Sequence, residues 1–352
     1  MGNNPFAINF GIIPSQYIER DLIREEVING LMDNPVQNPC YMLTGVRGSG
    51  KTVTMTAIER EIINEDGWIV INLSTDRDML TTLVAKLYDS KKYLRDFLMT
   101  NVNLSIFGVG VNMSNNAPVA DVESALEIIL REVQNRGKKV LVTIDEVSNT
   151  IYMRQFASTY QILIRQGLPL YLIMAGLYEN IHDLENQDNL TFLYRTPKIE
   201  MEPLNISLVT QRYMRVFNLN QEKAFEMALI TKGYPFAYQV LGKYVWESPD
   251  HSIDDEVISR FDAAMARYVY DKMWSELSQT DKWYLSFISR KNSMEISELL
   301  ELTNKKKYEF SQYRARLRDK GIIDVSNRGV IAIKLPRFAE YVKLRYEMDY
   351  EF

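Results

Sequence analysis

The stretch GVRGSGKT, from Gly45 to Thr52, constrains the fold of this chain more than any other part of its sequence. It matches the pattern G-x-x-x-x-G-K-[ST]. An apolar segment, Tyr41–Thr44, precedes it and an amphipathic segment follows, which predicts a strand, a turn and a helix in that order. Glycines at these positions let the backbone curl so that successive N–H groups point inward, which a plain glycine turn does not require. We therefore interpret the stretch as a phosphate-binding loop.

Two side chains of this motif are suited to nucleotide chemistry. Lys51 is expected to reach the β- and γ-phosphates of a nucleotide, and the Thr52 hydroxyl is expected to ligate Mg²⁺. The following helix adds its positive N-terminal end. ATP and Mg²⁺ are therefore the expected cofactors. The expected nucleotide contacts are Gly45, Val46, Arg47, Gly48, Ser49, Gly50, Lys51, Thr52 and Val53.

A second motif, KKVLVTIDEVSN, places Asp145 and Glu146 directly after a short apolar strand, Val140–Ile144. Most Asp-Glu pairs belong to a solvated surface, but ligands of parallel α/β sheets bind at the carboxyl ends of the strands. Asp145 is expected to hold Mg²⁺ through water, and Glu146 to orient and deprotonate the attacking water. Because a kinase or a GTPase needs no such glutamate, the pair favours ATP hydrolysis.

The segments around these motifs alternate between strand and helix patterns. Further strands are predicted at Trp68–Ser74, Pro169–Gly176 and Lys198–Glu202, with helical segments between them. This alternation predicts an α/β fold whose parallel sheet is covered by helices on both faces.

Composition excludes several other classes of protein. The 352 residues include one cysteine and two histidines, so disulfide frameworks, zinc sites and histidine-based triads lack the residues they need. No window contains the 18 or more apolar residues of a membrane span, and the N-terminus lacks a signal region. A cytoplasmic protein without membrane contact is expected.

With these residues, most of the chain resembles the AAA+ ATPases, in particular the initiator-like and STAND-like branch of bacteria and archaea. The resemblance implies a nucleotide-binding core over residues 1–203 and an α-helical lid over 204–274. Residues 1–35, which include YIERD, look like the family's N-terminal segment, which lies against the adenine. Tyr17 and Ile18 are therefore the expected base contacts, and the start of an ordinary amphipathic helix is the alternative.

Two further stretches resemble this family. NLTFLYRTPKIEMEPL is similar to the end of the core, where the family often places an arginine finger that reaches a neighbouring subunit. Arg195 stands at that place, which implies a homo-oligomer formed through the nucleotide site, and a plain surface arginine is the alternative. KGYPF is similar to the lid motif G-x-P, so Gly233 and Pro235 are expected beside the nucleotide. The alternative there is a helix start, since proline suits a first turn.

The chain also departs from the family pattern. The strand Pro169–Gly176 ends in Met-Ala-Gly where many relatives carry Asn, Ser or Thr, and Phe236 stands where initiator-type relatives carry an arginine that senses the nucleotide. Slow hydrolysis is therefore expected. Asn72 is expected to restrain Glu146, as a polar partner does in the family. Residues 102–115 alternate apolar side chains around two glycines, which predicts a β-hairpin inserted into the core.

The C-terminal part of the chain is basic, although the net charge of the whole chain is −5. Thr280–Phe352 carries a net charge of about +4, and Asp281–Pro336 predicts three helices and a hairpin, the pattern of a winged helix-turn-helix domain over residues 275–352. Between Asn304 and Gly321, seven basic residues face two acidic ones, whereas a merely solvated helix face would intersperse acidic partners. Binding to double-stranded DNA is favoured, and protein docking is the alternative. The expected DNA contacts are Lys305, Lys307, Tyr308, Ser311, Gln312, Arg314, Arg318 and Arg328.

The leading interpretation is thus an ATPase that couples its nucleotide state to DNA binding. A nucleotide-gated signalling or scaffold protein, whose winged helix docks protein, is the first alternative. A transcription regulator that uses ATP as a structural ligand is the second.

Overall fold

A computed structural model describes residues 3–8, 14–101, 121–187 and 190–350 of the chain. The chain forms two compact units. The sheet unit comprises Arg20–Thr44 and Lys51–Glu200. The C-terminal unit comprises Met1–Glu19, Gly45–Gly50 and Met201–Phe352.

The sheet unit is built on a five-stranded parallel sheet in the order β2-β3-β4-β1-β5. Every residue of β1 and of β4 is buried. Because successive side chains of a strand point to opposite faces, this burial means that both faces of the central strands are covered. The strands are β1 (Cys40–Thr44), β2 (Trp68–Leu73), β3 (Lys139–Ile144), β4 (Leu170–Gly176) and β5 (Lys198–Glu200).

Helices connect these strands, and several begin at a polar cap. Asp78, Asp121 and Thr150 each accept a hydrogen bond from a backbone N–H of the first turn that follows. A short 3₁₀ segment, Thr191–Arg195, precedes β5. The helices of this unit are α1 (Asp21–Met32), α2 (Lys51–Asn64), α3 (Met79–Ser90), α4 (Lys92–Asn101), α5 (Val122–Asn135), α6 (Ile151–Arg165) and α7 (Tyr178–Glu185).

The first part of the C-terminal unit is helical. The N-terminal segment packs into it, because the Phe6 ring stacks on Phe217 and lies directly against Gly242, where an added Cβ would come within 2.4 Å of the ring. A π-helical segment, Ala266–Tyr270, leads into the last helix of this part. The helices are α8 (Ile206–Phe217), α9 (Gln221–Thr231), α10 (Pro235–Glu247), α11 (Asp255–Met265) and α12 (Asp271–Ser275).

The rest of the C-terminal unit contains the three helices and the hairpin predicted between Asp281 and Pro336. A short strand that the sequence did not predict, β6, joins the hairpin to form an antiparallel sheet in the order β6-β8-β7. The elements are α13 (Gln279–Ile288), β6 (Ser293–Glu295), α14 (Ile296–Thr303), α15 (Lys307–Asp319), β7 (Ile323–Asp324), β8 (Val330–Ile333) and α16 (Phe338–Tyr350).

Helix α15 is held by an apolar stripe and by one ion pair. Phe310 and Leu317 are buried, as the helical period predicts. Arg316 makes a two-nitrogen contact to the carboxylate of Asp281, which is 1% exposed and belongs to the capping box at the start of α13. Arg316 therefore fixes α15 to α13, and it is a structural member of the basic cluster.

Two predictions remain untested at this level. The hairpin predicted at 102–115 lies outside the described residues. The division into a core over 1–203, a lid over 204–274 and a winged helix over 275–352 stays a prediction.

Within the described ranges, the structure contains no helix that combines the length and the apolar character needed to cross a membrane.

Candidate functional site

The phosphate loop, Gly45–Gly50, leads from the end of β1 to the first residue of α2 along the chain. Gly48 and Gly50 adopt positive φ angles of 72° and 91°, which glycine accepts without steric cost. The Ser49 N–H donates to the Val46 carbonyl at 3.3 Å and closes the turn. Helix α2 then begins at Lys51, so the first helical residues are the two that the motif assigns to phosphate and metal.

The hydroxyl of Thr52 and the carboxylate of Asp145 meet within the sheet unit. Thr52 Oγ1 donates to Asp145 Oδ2 at 2.6 Å, and Asp145 Oδ1 accepts from the Glu146 N–H at 2.9 Å. Both side chains offer hard oxygen ligands, which fit Mg²⁺. No cluster of three or more His, Cys, Asp or Glu suited to a metal occurs in the described part of the chain.

Glu146 follows β3 in an unusual backbone conformation. Its φ is +51°, a region that residues other than glycine rarely adopt. The next residue is fixed, because the Val147 N–H donates to the Ala175 carbonyl at 2.9 Å. The Glu146 side chain is exposed and has no hydrogen-bond or ion-pair partner among the described residues. Backbone strain of this kind concentrates at functional sites.

Sequence reasoning missed Glu59, which lies on α2. Asn72 donates its amide to Glu59 Oε1 at 2.6 Å and to Thr143 Oγ1 at 2.8 Å, so its partners are these two residues and not Glu146. Burial raises the pKa of the Glu59 carboxyl, the Thr143 hydroxyl opposes that shift and the nearby charge of Asp145 adds to it. No motif signals Glu59, since a glutamate on an amphipathic helix is ordinary.

Within the C-terminal unit, the start of α10 contacts the phosphate loop. The Tyr234 hydroxyl donates to the Arg47 carbonyl, and the Phe236 N–H donates to the Gly48 carbonyl at 3.2 Å. Pro235 lies beside Gly50, where an added Cβ would be 3.9 Å from the proline ring. Burial raises the pKa of Tyr234, so its hydroxyl stays protonated as the donor. These contacts use carbonyl oxygens of the loop, whereas a phosphate would use N–H groups.

The same loop also contacts the region around α15. Gly321 follows α15 with a φ of +66°, and a Cβ there would lie 2.0 Å from Val46 Cγ1. The valine methyl thus rests on the glycine. Arg47 forms an ion pair with Glu276, with 3.6 Å between Nη2 and Oε1. These contacts were not predicted from the sequence, because a contact between positions so far apart in the chain leaves no local pattern.

The structure places the remaining nucleotide-site candidates as follows. Ile18 is buried in the core formed with the α8–α10 helices, and Tyr17 beside it is partly exposed. Arg195 is exposed at the end of the 3₁₀ segment and has no hydrogen-bond or ion-pair partner among the described residues. Val53 is partly buried in the first turn of α2. Base contact by Tyr17 and Ile18 stays a prediction.

The side chains predicted to contact DNA are exposed except Arg314, which is partly buried. Some of their charge is already paired. Lys305 contacts Glu309 at 3.3 Å and Arg318 contacts Asp319 at 2.7 Å. The Lys306 N–H and the Lys305 ammonium hold the pKa of Glu309 below its ordinary value, so this carboxylate is charged at neutral pH. The cluster is therefore less cationic than its count of basic residues suggests.

Comparison with known proteins gives a fold and one short family match. Residues 267–342 match the model described as "Domain of unknown function (DUF8462)". A search of curated proteins found no match to the sequence. The Aeropyrum pernix ORC2 protein, solved as ADPNP–ADP complexes, is similar at 12% identity with a TM-score of 0.60, covering 97% of this chain and 98% of that one.

The Cdc6p structure from Pyrobaculum aerophilum is 14% identical with a TM-score of 0.49, covering 97% of each chain. That score is too low to carry an argument. The ORC2 similarity shows a shared fold and, at 12% identity, nothing more. It confirms the predicted fold class and the resemblance to initiator-type AAA+ proteins at the level of fold.

The packing of Gly48 yields a stability prediction. In Gly48→Ala, the new Cβ would lie 2.7 Å from the Tyr234 hydroxyl and 2.9 Å from Phe236 Cβ, at a φ of +72°. Gly329→Ala is the matched control in the same unit, because its φ is +80° and no atom lies within 4 Å of the new Cβ. We expect a loss of about 1 kcal/mol in the free energy of unfolding for the control. A further loss of roughly 1–3 kcal/mol is expected for Gly48→Ala. Urea denaturation measures both, and equal losses would contradict the close packing.

Proposed function

We propose that this protein is a magnesium-dependent ATPase whose nucleotide state is coupled to DNA binding through its C-terminal region. The observation that carries the proposal is the 2.6 Å contact between Thr52 and Asp145. It unites a residue of the phosphate-loop motif with a residue at the end of a parallel strand, where ligands of such sheets bind. The ORC2 protein of Aeropyrum pernix was solved with ADPNP and ADP, which supports an adenine nucleotide as the ligand here.

Each residue has a separate role in the proposed reaction. The Lys51 ammonium compensates the charge of the β- and γ-phosphates. Thr52 and Asp145 would hold Mg²⁺, which when bound neutralises charge on the phosphate oxygens. Glu146 accepts a proton from the water that attacks the γ-phosphorus, while ADP leaves with the electrons of the broken P–O bond. The open side chain of Glu146 supports this role.

Hydrolysis is expected to be slow. Strand β4 ends in Ala175 and Gly176, which are buried and carry no polar side chain toward a γ-phosphate. Phe236 contributes a backbone contact to the loop and no positive charge. With slow hydrolysis, the protein would act more as a nucleotide-dependent switch than as a motor.

Two substitutions test the nucleotide site. Lys51→Ala is expected to abolish tight ATP binding in calorimetry, since the phosphate charge loses its counter-charge. Glu146→Gln is expected to retain ATP binding and to stop phosphate release, because the amide keeps the shape of the side chain and loses the base. Unchanged ATP affinity in the first variant would overturn the phosphate-loop assignment. Turnover at the parent rate in the second would show that Glu146 is not the base.

Arg195 is proposed to complete the site of a neighbouring subunit in a homo-oligomer. Its exposure and its lack of a partner among the described residues support that role. If the finger acts between subunits, phosphate release per mole of protein rises with protein concentration, and Arg195→Ala flattens that rise. Constant specific activity of the parent over the whole range would exclude a role between subunits.

The proposed link between nucleotide and DNA runs through the phosphate loop. Val46 and Arg47 touch Gly321 and Glu276, and Gly321 ends the turn that follows α15. A nucleotide that shifts the loop would change these contacts. Because Gly321 follows α15, the position of this basic helix would then change too. By the linkage relation, DNA that favours one position of the helix would then change nucleotide affinity by the same factor.

A salt titration tests DNA binding. Alanine at Lys307, Arg314 or Arg318 is expected to weaken binding to all duplexes alike and to reduce the salt slope by about one unit per lost phosphate contact. Lys343→Ala on α16 is the matched control, because it removes an exposed positive charge outside the basic helix. Gln312→Ala is expected to cost roughly 1–3 kcal/mol, and to do so on a preferred sequence alone. Fluorescence anisotropy of the full chain, with and without ATP, supplies the measurement.

The outcomes of that titration separate the candidate functions. Equal slopes for the α15 variants and the Lys343 control would contradict phosphate contacts by the helix. Equal DNA affinity with and without ATP would contradict the coupling. Failure to bind any duplex even at low salt would favour the alternative, a nucleotide-gated signalling protein that docks protein. Leu302 and Tyr308, exposed by 46% and 72%, are the observation that favours that alternative.

A further inference from the structure

One face of helix α2 contacts strand β3, or the residue that directly follows it, at two points. The first is the contact between Thr52 and Asp145 at 2.6 Å. The second lies at Glu59 and Thr143, which are joined through the amide of Asn72, since it donates a hydrogen bond to each. Thr52 and Glu59 are seven residues apart, about two helical turns, and therefore lie on the same face of α2. Thr143 and Asp145 are two residues apart. Because side chains alternate along an extended chain, they lie on the same face of the sheet.

The second point is reinforced from the neighbouring strand. Asn72 of β2 is the direct register partner of Thr143 in β3. Its amide reaches both members of the pair, at 2.6 Å to Glu59 and 2.8 Å to Thr143. Lys86 of α3 in turn donates to the Asn72 carbonyl at 2.6 Å. The Asn72 amide thus ties the Glu59 carboxylate of α2 to two adjacent strands, to β2 directly and to β3 through Thr143.

A partly buried carboxylate near the Asp145 carboxylate is a costly arrangement. Thr143 is 1% exposed, Glu59 is partly buried, and two like charges on one face repel each other. An apolar residue at position 59 would pack on the strands without that cost. The arrangement therefore calls for a benefit outside core packing, and the neighbouring oxygen pair is where that benefit would be realised.

We infer that Glu59, supported by Asn72, is a positioning residue for Mg²⁺. Glu59 holds helix α2 so that Thr52 lies at the distance from Asp145 that the ion requires. The inference rests on the proposed function of that oxygen pair. Magnesium demands near-ideal geometry, so a small displacement of α2 along β3 separates the two ligands. Outer partners of metal ligands typically contribute 10- to 100-fold to metal affinity.

The test compares ADPNP affinity in Mg²⁺ with ADPNP affinity in EDTA, by calorimetry on the full chain. Glu59→Leu is expected to lower the affinity in Mg²⁺ about tenfold and to leave the affinity in EDTA unchanged. Glu59→Gln is expected to stay close to the parent, because its amide oxygen still accepts the hydrogen bond from Asn72. Asn72→Ala is expected to show a loss of the same kind as Glu59→Leu, and because Asn72 is exposed, the substitution leaves no cavity in the core.

Glu61→Leu is the matched control on the same helix. Glu61 is exposed and contacts Arg24 at 3.2 Å, so the same loss of charge occurs away from the oxygen pair. Parent-like affinities are expected for it in both conditions. An equal fall in Mg²⁺ and EDTA for both Glu59→Leu and Asn72→Ala would show a general structural role and overturn the inference. Unchanged affinities would overturn it too.

The parent protein separates this inference from the proposal on which it rests. If the parent binds ADPNP more tightly in Mg²⁺ than in EDTA, the proposed metal–nucleotide function holds. The variants then test the positioning role of Glu59 alone. If the parent binds no ADPNP, or binds it equally in both conditions, the proposed metal–nucleotide function fails and the role of Glu59 fails with it.

Discussion

The parallel sheet imposes the constraint on which the candidate site depends. When all strands run the same way, all their carboxyl ends meet at one edge of the sheet. Asn72, Asp145 and Gly176 are brought to that edge by the strands that carry them or immediately precede them. The central strands are buried on both faces, so the edge is fixed by an apolar core and its loops are free to carry polar chemistry.

Helix α2 connects this edge to the proposed chemistry. Its first turn supplies Lys51 and Thr52, and its position on the sheet decides whether Thr52 lies near Asp145. Apolar packing alone is tolerant of small shifts along a strand, whereas a metal ion is not. The hydrogen bond of Glu59 to Asn72, whose amide also binds Thr143 on the neighbouring strand, gives the directional restraint that apolar packing lacks. The restraint at Glu59 therefore matters more for the proposed Mg²⁺ site than for the stability of the fold.

The C-terminal unit contributes contacts of a different kind. Tyr234 and Phe236 bind carbonyl groups of the phosphate loop, and Gly321 lets the end of α15 approach Val46. Because these contacts use the carbonyl side of the loop, they are chemically compatible with a phosphate on its N–H side. The proposed nucleotide-dependent switch requires this compatibility, because one short loop would then contact a phosphate and the start of α10 at the same time. Arg316 contributes to the same unit by fixing α15 to the buried Asp281.

The sequence by itself determined the phosphate loop, the acidic pair after β3, the parallel α/β sheet, and the helices and hairpin of the C-terminal region. These features depend on local patterns: glycine spacing, apolar runs and helical periods act over a few residues and are visible in one dimension. The tertiary structure alone decided that Asn72 binds Glu59 instead of Glu146, that Arg316 of α15 pairs with the buried Asp281, and that Val46 contacts Gly321. Each of these pairings joins residues 13 to 275 positions apart, and side chains so distant in the chain have no local pattern to mark them. Only folding of the backbone brings the polar groups of the first two pairs within hydrogen-bonding distance and the Val46 methyl against Gly321.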